Sequence, residues 1–326
     1  MIDPSSPTTS DNNLKAPESG LSYEDAVQAA KTCETGLTDL IAKADHLRRK
    51  HKKNNIFTCG IVNAKSGACT EDCAFCAQSA HHSANVLSYP FMGKNEIVEH
   101  AYTCAENGAT RFSMVTSGFL LTQKEIESVC NAAQTIISET GLSICASLGT
   151  LTPDMAKSLK QSGVTRYHHN LETARSYFDH ACTTHDYEDD IETVKTVQDA
   201  GMNICSGGIM GLGETWDQRI ELAFTLKELD VDSIPINFLN PIPGTPMEKR
   251  PLLSPMEAIK SIALYRLINP EKDIVICGGR EVTLKEFQSW IFMAGANGIM
   301  VGNYLTTRGR NIEIDMGMIK EMGLAG

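Results

Sequence analysis

RFSMVTSGFLLTQKEIESVCNAAQTIISETGLSICAS, residues 111–147, contains a strand, a helix and a second strand in one run. The two ends, RFSMV and LSICAS, are short apolar segments of strand length. The middle, residues 122–139, is helix-like and closes on Gly141, which suits the left-handed cap that ends many helices. Strand, helix and strand in this order are typical of parallel neighbours in one sheet.

The same alternation continues through most of the chain. Several of the helix-like stretches close on glycine, in the segments ENG, ETG, QSG and DAG. Because each strand-like run is almost continuously apolar, the pattern indicates a parallel sheet with both faces buried. A (β/α)8 TIM barrel, of the α/β class, fits the strand count and the length, and a doubly wound open sheet is the alternative. The eight runs are NIFTCGIVN, RFSMV, LSICAS, VTRYHHN, MNICSGGIM, SIPINFL, IVICGG and NGIMVG.

Two helical segments precede the first strand. SYEDAVQAAKT has Ser22 as its N-cap and Glu24 and Asp25 in its first turn, and LTDLIAKADHLRRKH follows it. They predict an N-terminal helical extension on the barrel. The polar start of the chain is expected to form a disordered arm over residues 1–20, followed by a single domain over residues 21–326.

The composition excludes several classes of partner. The 326 residues carry a net charge of −11, with an isoelectric point near 5.3, which argues against nucleic acid and membrane surfaces. No apolar run is long enough to span a bilayer, and the polar start lacks the apolar stretch of a secretory signal. Eleven cysteines without such a signal indicate reduced thiols, some of them metal ligands, so we expect a cytoplasmic location.

Three cysteines stand close together in the segment GACTEDCAFCAQS. Cys69, Cys73 and Cys76 form a C-x3-C-x2-C pattern in the loop after the first strand, at the barrel end where active sites lie. Three thiolates in one loop can bind three irons of a cubane iron–sulfur cluster and leave the fourth iron open to a ligand. A zinc site with His81 or His82 as fourth ligand, or unpaired thiols, are the alternatives.

This spacing, with Phe75 before the last cysteine, resembles the signature of radical S-adenosylmethionine (SAM) enzymes. The resemblance runs from about residue 20 to the end, because SGACTEDCAFCAQS, HHNLET, CSGGIMGLGET, PIN, GTP, GGRE, MAGAN and LTT occur in the order found in the biotin synthase family. It implies a [4Fe-4S] cluster on the three loop cysteines that binds SAM and cleaves it to a 5′-deoxyadenosyl radical. It also implies an enzyme that inserts sulfur from an auxiliary iron–sulfur cluster into dethiobiotin to form biotin.

The resemblance implies the binding residues as well, position by position. SAM would be bound by Phe75, His169, Asn170, Glu172 and Ile209, and the substrate by His168, Asn170, Asn237, Thr306 and Thr307. The chain departs from the family at His168, Glu172 and His185, where Asn, Asp and Arg are usual. Because arginine is usual at the position of His185, the resemblance does not indicate which residue of this chain would bind the SAM carboxylate.

The auxiliary cluster of the family is held by three cysteines and one arginine. Two of those cysteines align with Cys145 and Cys205, whereas the third aligns with Ser113 and the arginine with Val275. Half of the usual ligand set is therefore missing, so the cluster is either lost or changed.

The barrel pattern favours a changed cluster. Cys145, Cys205 and Cys277 each follow an isoleucine at the ends of predicted strands three, five and seven, and Cys59 lies on strand one. Side chains from alternate strands of a barrel meet in one layer. We therefore interpret these four cysteines as ligands of an auxiliary cluster, of a four-iron type rather than [2Fe-2S], with buried core thiols as the alternative.

Two other functions stay open at this point. One is a different radical SAM barrel, such as one that matures hydrogenase or rearranges an amino acid. The other is a non-catalytic zinc-binding or redox-sensing barrel. For the favoured function the resemblance implies dethiobiotin as substrate, a flavodoxin- or ferredoxin-type electron donor and a homodimer.

Overall fold

The computed structural model describes residues 18–31 and 34–324. Nine parallel strand segments form one sheet, in the order β5-β4-β3-β2-β1-β9-β8-β7-β6, and a further β5–β7 pairing closes it into a ring. The predicted (β/α)8 barrel is therefore confirmed, and the open sheet is wrong. The strands are β1 Phe57–Lys65, β2 Arg111–Thr116, β3 Ser143–Ser147, β4 Arg166–His168, β5 Asn203–Cys205, β6 Gly208–Met210, β7 Ser233–Phe238, β8 Asp273–Ile276 and β9 Gly298–Met300.

The fifth barrel strand is broken into β5 and β6 at the two glycines of CSGGIM. A Cβ atom on Gly207 would overlap the carbonyl of Pro235 on β7, and one on Gly208 would overlap the carbonyl of Glu172. Only glycine allows three backbone segments to approach so closely. The break explains why nine segments form an eight-stranded barrel.

Helices cover the outside of the barrel. Ser22 caps the first helix by accepting a hydrogen bond from the Asp25 amide, as predicted, and Gly141 ends the fourth with φ 71°. Thr122 and Glu125 form a capping box at the start of that fourth helix. The helices are α1 Tyr23–Ala30, α2 Glu34–Lys52, α3 Lys94–Glu106, α4 Gln123–Thr140, α5 Pro153–Gln161, α6 Tyr187–Asp199, α7 Trp216–Glu228, α8 Pro255–Ile268, α9 Arg280–Leu284, α10 Trp290–Met293 and α11 Ile312–Glu321.

The N-terminal extension packs on one side of the barrel. Helix α1 contacts α7 and α8, and α2 packs along α8. The Leu21 amide donates a hydrogen bond to the Leu267 carbonyl at 2.9 Å, and the buried Arg48 is paired with Asp45. Of the predicted arm, residues 1–17 lie outside the described part of the chain. None of the helices in the described ranges is both long and apolar enough to cross a membrane.

Alternate strand residues face the barrel interior. On β2, Phe112 and Met114 are fully buried under the helices, whereas Arg111, Ser113 and Val115 border a central cavity. Interiors of such barrels are usually filled by branched apolar side chains. Here a cavity of about 450 Å³ lies along the barrel instead, and its walls carry most of the chemistry of the chain.

Candidate active site

All residues predicted from the sequence for the site line this one cavity. At the carboxyl ends of the strands it reaches the cysteine loop and the loop that follows β9, and at the amino ends it reaches the first residues of β1, β2 and β4. The predicted residues that line it are Cys59, Cys69, Cys73, Phe75, Cys76, Cys145, His168, His169, Asn170, Glu172, Cys205, Ile209, Asn237, Cys277, Thr306 and Thr307.

The loop after β1 presents three thiols to the mouth of the cavity. We call Cys69, Cys73 and Cys76 the loop thiols. The loop is closed by hydrogen bonds from the Cys69 amide to the Gln78 carbonyl, at 3.0 Å, and from the Ala80 amide to the Cys69 carbonyl, at 2.8 Å. Burial raises the pKa of Cys76 to about 11, and the nearby Cys69 thiol acts in the same direction. Three soft donors held together in this way suit an iron–sulfur cluster.

The two histidines considered for a zinc site are turned to the backbone. The His81 ring lies 2.9 Å from the Thr70 carbonyl, and the His82 ring lies 3.0 Å from the Cys73 carbonyl. Neither ring borders the cavity into which the loop thiols face. Neither histidine is therefore placed to complete a zinc tetrahedron with the loop thiols.

A second loop, residues 181–183, supports the cysteine loop, although none of its residues was predicted for the site. The Ala74 amide donates to the Ala181 carbonyl at 2.8 Å, and Asp72 accepts from the Thr183 amide at 2.8 Å. Cys182 Sγ lies 3.7 Å from Cys73 Sγ. The hydrogen bond from Cys73 lowers the pKa of Cys182 to about 5, although burial opposes this. Cys182 therefore places a fourth sulfur beside the loop thiols.

His185, where the family has arginine, lies in a chain of charged groups beside the loop. Its Nδ1 atom lies 2.7 Å from Glu71 Oε2 and 3.3 Å from Cys182 Sγ, and Asp190 faces its other nitrogen at 3.6 Å. Burial opposes a charged ring, but hydrogen bonds with Asp190 and Cys182 raise the pKa of His185 to about 11. His169 joins the same chain through a 2.8 Å bond to Asp190.

The end of β4 carries the predicted nucleoside contacts. Asn170 donates to Glu172 at 3.2 Å and accepts from the Gly207 amide at 3.2 Å, so its side chain is held from both sides. Burial, and then the nearby Asp190 charge, raise the pKa of Glu172 to about 8. Burial and, as a smaller cause, the nearby His169 lower the pKa of His168 to about 4, so this ring is neutral at pH 7.

Phe75 and Ile209 form the apolar part of the mouth. Both pack against one small cluster that is separate from the main core of the protein, and both border the cavity. A flat apolar surface beside polar groups is what an adenine ring requires. The buried members of the cluster are Tyr177, Ala181, Leu212, Leu239 and Met247.

Four further thiols face the interior below the mouth. We call Cys59, Cys145, Cys205 and Cys277 the lumen thiols. They lie on the first, third, fifth and seventh barrel strands, as predicted, except that β8 ends at Ile276 and Cys277 is the next residue. Burial raises the pKa of all four thiols. The nearby Cys205 also raises the pKa of each of the other three. The structure therefore brings these side chains to one region of the cavity.

Two arginines, which the sequence analysis missed, lie near the lumen thiols. The Arg111 guanidinium stacks on Phe57 at 3.7 Å and lies 3.5 Å from Asp273. Arg166 also borders the cavity, and its Nη1 atom is buried without a hydrogen-bond partner. The period-two alternation of RFSMV and VTRYHHN could have placed both inside the barrel, because their apolar neighbours face the helices.

Asn237 is the predicted contact on β7, at the cavity wall. Its Oδ1 accepts from the Gly278 amide at 3.0 Å, and its Nδ2 lies 3.4 Å from the Gly208 carbonyl. These bonds connect β7 with the chain after β8 and with β6, and they fix the amide plane. One lone pair and one N–H of the amide stay available for a ligand.

The loop after β9 carries Thr306 and Thr307 over the cavity. Asn63 on β1 donates to the Leu305 carbonyl at 3.1 Å and to Gln78 Oε1 at 3.3 Å. Gln78 Oε1 in turn accepts from the Gly67 amide at 3.2 Å. A single buried amide therefore joins the predicted substrate loop to the cysteine loop.

Two family models and several known proteins match the chain. Residues 64–226 match the family model of the radical SAM superfamily, and residues 235–325 match the Biotin and Thiamin Synthesis associated domain. The chain is 56% identical over 300 residues to the biotin synthase of Syntrophus aciditrophicus (strain SB), covering 92% of each chain. It is 52% identical to that of Nitratidesulfovibrio vulgaris (strain DP4), covering 94% of this chain and 84% of the relative.

Solved structures show the same fold at low identity. Methylornithine synthase superposes with a TM-score of 0.82 at 18% identity, over 94% of both chains. The FeFe-hydrogenase maturase HydG from Carboxydothermus hydrogenoformans gives 0.81 at 16% identity, over 95% of this chain and 77% of the maturase. These likenesses concern the barrel alone, whereas the relatives above match in sequence along nearly the whole chain. With its three loop thiols at the barrel mouth, the chain belongs to the biotin synthase family of radical SAM enzymes.

Proposed function

We propose that this chain converts dethiobiotin into biotin by SAM-dependent radical sulfur insertion. The observation that carries the proposal is the single cavity with two sets of thiols, three in the loop at its mouth and four in its lumen. A substrate between the two sets would be within reach of both a radical source and a sulfur source. The family of the chain supports the same reaction.

The loop thiols would hold the [4Fe-4S] cluster. They fit it because three thiol donors face one cavity, and three thiolate ligands would leave one iron without a protein ligand. When bound, this cluster supplies the electron that cleaves SAM. Phe75 and Ile209 would pack on the adenine ring of SAM. The polar residues His169, Asn170 and Glu172 would form hydrogen bonds with its ribose and amino-acid part.

The lumen thiols would hold the auxiliary cluster, and we favour a four-iron type. Four thiols from alternate strands fit such a group, and the unpartnered Nη1 atom of Arg166 indicates that an anion belongs beside it. When bound, the auxiliary cluster supplies the sulfur. Ser113 and Val275, which replace usual ligands of the family, also border the cavity but offer a hydroxyl and no donor atom, respectively.

The substrate would lie between the clusters, held at both ends. Its ureido ring offers two N–H donors and one strong acceptor, which Asn170 and Asn237 can meet through their remaining amide groups. The neutral His168 would border the same ring. Thr306 and Thr307 would hold the carboxylate of the tail through their hydroxyl groups.

Anaerobic turnover tests the proposal directly. Reconstituted protein incubated with SAM, dethiobiotin and a strong reductant should yield biotin and 5′-deoxyadenosine, both measured by mass spectrometry. A hydrogenase-maturing or amino-acid-rearranging barrel would cleave SAM but give no biotin. A zinc-binding or redox-sensing barrel would contain zinc without iron, and either outcome would overturn the proposal.

Replacing Asn237 by Ala should weaken dethiobiotin binding by about tenfold, since each lost hydrogen bond contributes about 1 kcal/mol or more. The affinity for SAM should stay nearly unchanged. Equilibrium binding of both ligands to the reconstituted protein measures the two effects. Asn237→Asp is the comparison variant: it keeps the acceptor for the Gly278 amide, but it replaces the donor facing the Gly208 carbonyl by a charged oxygen. It should therefore weaken dethiobiotin binding as well. Equal losses of both affinities would place Asn237 outside the substrate site.

Replacing Asn63 by Ala should also weaken dethiobiotin binding, although Asn63 need not touch the substrate. The variant removes the bond to the Leu305 carbonyl and frees the loop that carries Thr306 and Thr307. We expect a loss of severalfold for this bond. Converting the tail carboxylate into a neutral ester tests the route: if Asn63 acts through the threonine loop, the variant and the wild type should bind the ester equally. A persistent difference would contradict it.

We further propose the assembly and setting that the sequence implies. A flavodoxin- or ferredoxin-type protein would deliver electrons, two copies would form a homodimer, and the enzyme would work in the cytoplasm. Residues 21–326 would act as one domain, which is supported by the packing of α1 and α2 on α7 and α8.

A further inference from the structure

We propose that Arg166 is a positioning residue that compensates the negative charge of the iron–sulfur centre on the lumen thiols and holds its reduction potential high. The inference rests on the proposed function, because it takes the lumen thiols as cluster ligands. Neither the sequence motifs nor the predicted cluster ligands give Arg166 a role.

The first step is the position of Arg166. It begins β4, where it pairs in register with Cys145 on β3 and with Asn203 on β5. The next residue, Tyr167, is fully buried on the helix side, where its hydroxyl donates to the Gly149 carbonyl. Because strand residues alternate, the Arg166 side chain faces the interior, and it borders the cavity.

The second step is the missing partner. In residues 18–31 and 34–324, no carboxylate lies within ion-pair distance of Arg166, and its Nη1 atom is buried without a hydrogen bond. Arg166 as a whole is half-buried, and it is this one nitrogen that is closed off from solvent. The fully buried arginines all have partners: Arg48, Arg219 and Arg280 pair with carboxylates, and Arg266 donates to backbone carbonyls and to Asn297. A buried guanidinium nitrogen with neither kind of partner is unfavourable, so we assign its missing acceptor to the contents of the cavity.

The third step identifies that acceptor. Carboxylates are present at the mouth, on Glu71, Glu172 and Asp190, but they belong to the SAM-facing chain of groups. Near the lumen thiols, Asp273 is the further carboxylate, and it already pairs with Lys52 and Arg111. The anion-forming groups left for Arg166 are the thiols, with Cys145 on the neighbouring strand in register. Four thiolates around an iron–sulfur core give a net negative group, which suits the free guanidinium nitrogen.

The last step is the consequence for the reaction. A carbon radical brings one electron and a sulfide lone pair brings two. With a cluster held by the lumen thiols, the carbon–sulfur bond would take two of the three, and the third would reduce one ferric iron to ferrous iron. A cation beside the centre favours that gain of negative charge, so it raises the reduction potential. Arg111 cannot replace Arg166 fully, because Asp273 already lies 3.5 Å from it.

The test compares three variants of the reconstituted enzyme. Arg166→Met removes the charge, Arg166→Lys keeps it, and Lys65→Met removes a cation that pairs with Glu125 and does not border the cavity. Iron and sulfide counts with Mössbauer spectra report the lumen centre, and a redox titration followed by electron paramagnetic resonance gives its potential. We expect a more negative potential in Arg166→Met only, with biotin formation reduced about tenfold and 5′-deoxyadenosine formation nearly native.

The other possible outcomes also either support or contradict the proposed role of Arg166. Loss of the lumen iron in Arg166→Met with retention in Arg166→Lys would also support the proposal, because charge alone separates the two variants. An unchanged potential in Arg166→Met, an equal shift in Lys65→Met, or loss of the iron in both Arg166 variants would overturn it. A wild-type protein without a second iron centre would instead overturn the proposed function.

Discussion

Replacing Cys73 by Ala should abolish the formation of 5′-deoxyadenosine from SAM under strong reductant, and we expect the same result for Cys69→Ala and Cys76→Ala. The three loop thiols leave one iron open, so losing any one leaves two protein ligands for four irons. The two histidines of their loop cannot replace a lost thiol as they stand, because His81 and His82 are bonded to backbone carbonyls and do not border the cavity. Chromatography of the nucleoside after anaerobic incubation measures the loss.

Cys182 provides the matched control for this expectation. Its sulfur lies only 3.7 Å from that of Cys73, yet it stands on another loop and is paired with His185 and Thr184. Cys182→Ala should therefore keep the cluster and most of the cleavage activity. Near-native cleavage by Cys73→Ala would contradict the radical mechanism, unless the Cys73→Ala/Cys182→Ala double variant abolishes it, which would show that Cys182 had replaced the missing ligand.

The barrel could be predicted because its signals are local. Apolar strands, capped helices and glycine ends follow one another in the chain, and each is set by neighbours a few residues away. The broken fifth strand could not be predicted in the same way. It depends on Gly207 meeting Pro235 and Gly208 meeting Glu172, and such contacts between distant segments leave no mark on a local pattern.

The site shows the same division. The loop thiols are visible as a spacing, whereas Cys182 reaches Cys73 across 109 residues. Asp190 stands in the acidic first turn of α6, where a carboxylate ordinarily faces water and favours the helix dipole. It is 4% exposed because His169 and His185 both face it. Groups that act through charge pairing over long chain distances are therefore the part of the site that only the fold reveals.

Replacing Cys277 by Ser should separate the two halves of the reaction. We expect radical generation to continue, because the loop thiols and the SAM contacts are untouched, while biotin formation and about one cluster's worth of iron are lost. A serine hydroxyl is a hard, weakly acidic donor and replaces a thiolate poorly on iron. Iron counts, Mössbauer spectra and the yields of 5′-deoxyadenosine and biotin measure the separation in one preparation.

Cys277 is the most informative of the four lumen thiols, because it lies just past the end of β8 and is held there by its own backbone. Its amide donates to the Ile236 carbonyl at 2.9 Å, so the serine variant should keep the backbone in place. Cys130, on α4 and outside the cavity, is the matched control, and Cys130→Ser should keep both clusters and full activity. A native iron content in the Cys145→Ala/Cys205→Ala double variant, or a full biotin yield from Cys277→Ser, would show that the lumen thiols are buried core residues. The sulfur would then have to come from outside the barrel, and the unpaired charge of Arg166 would lose its partner as well.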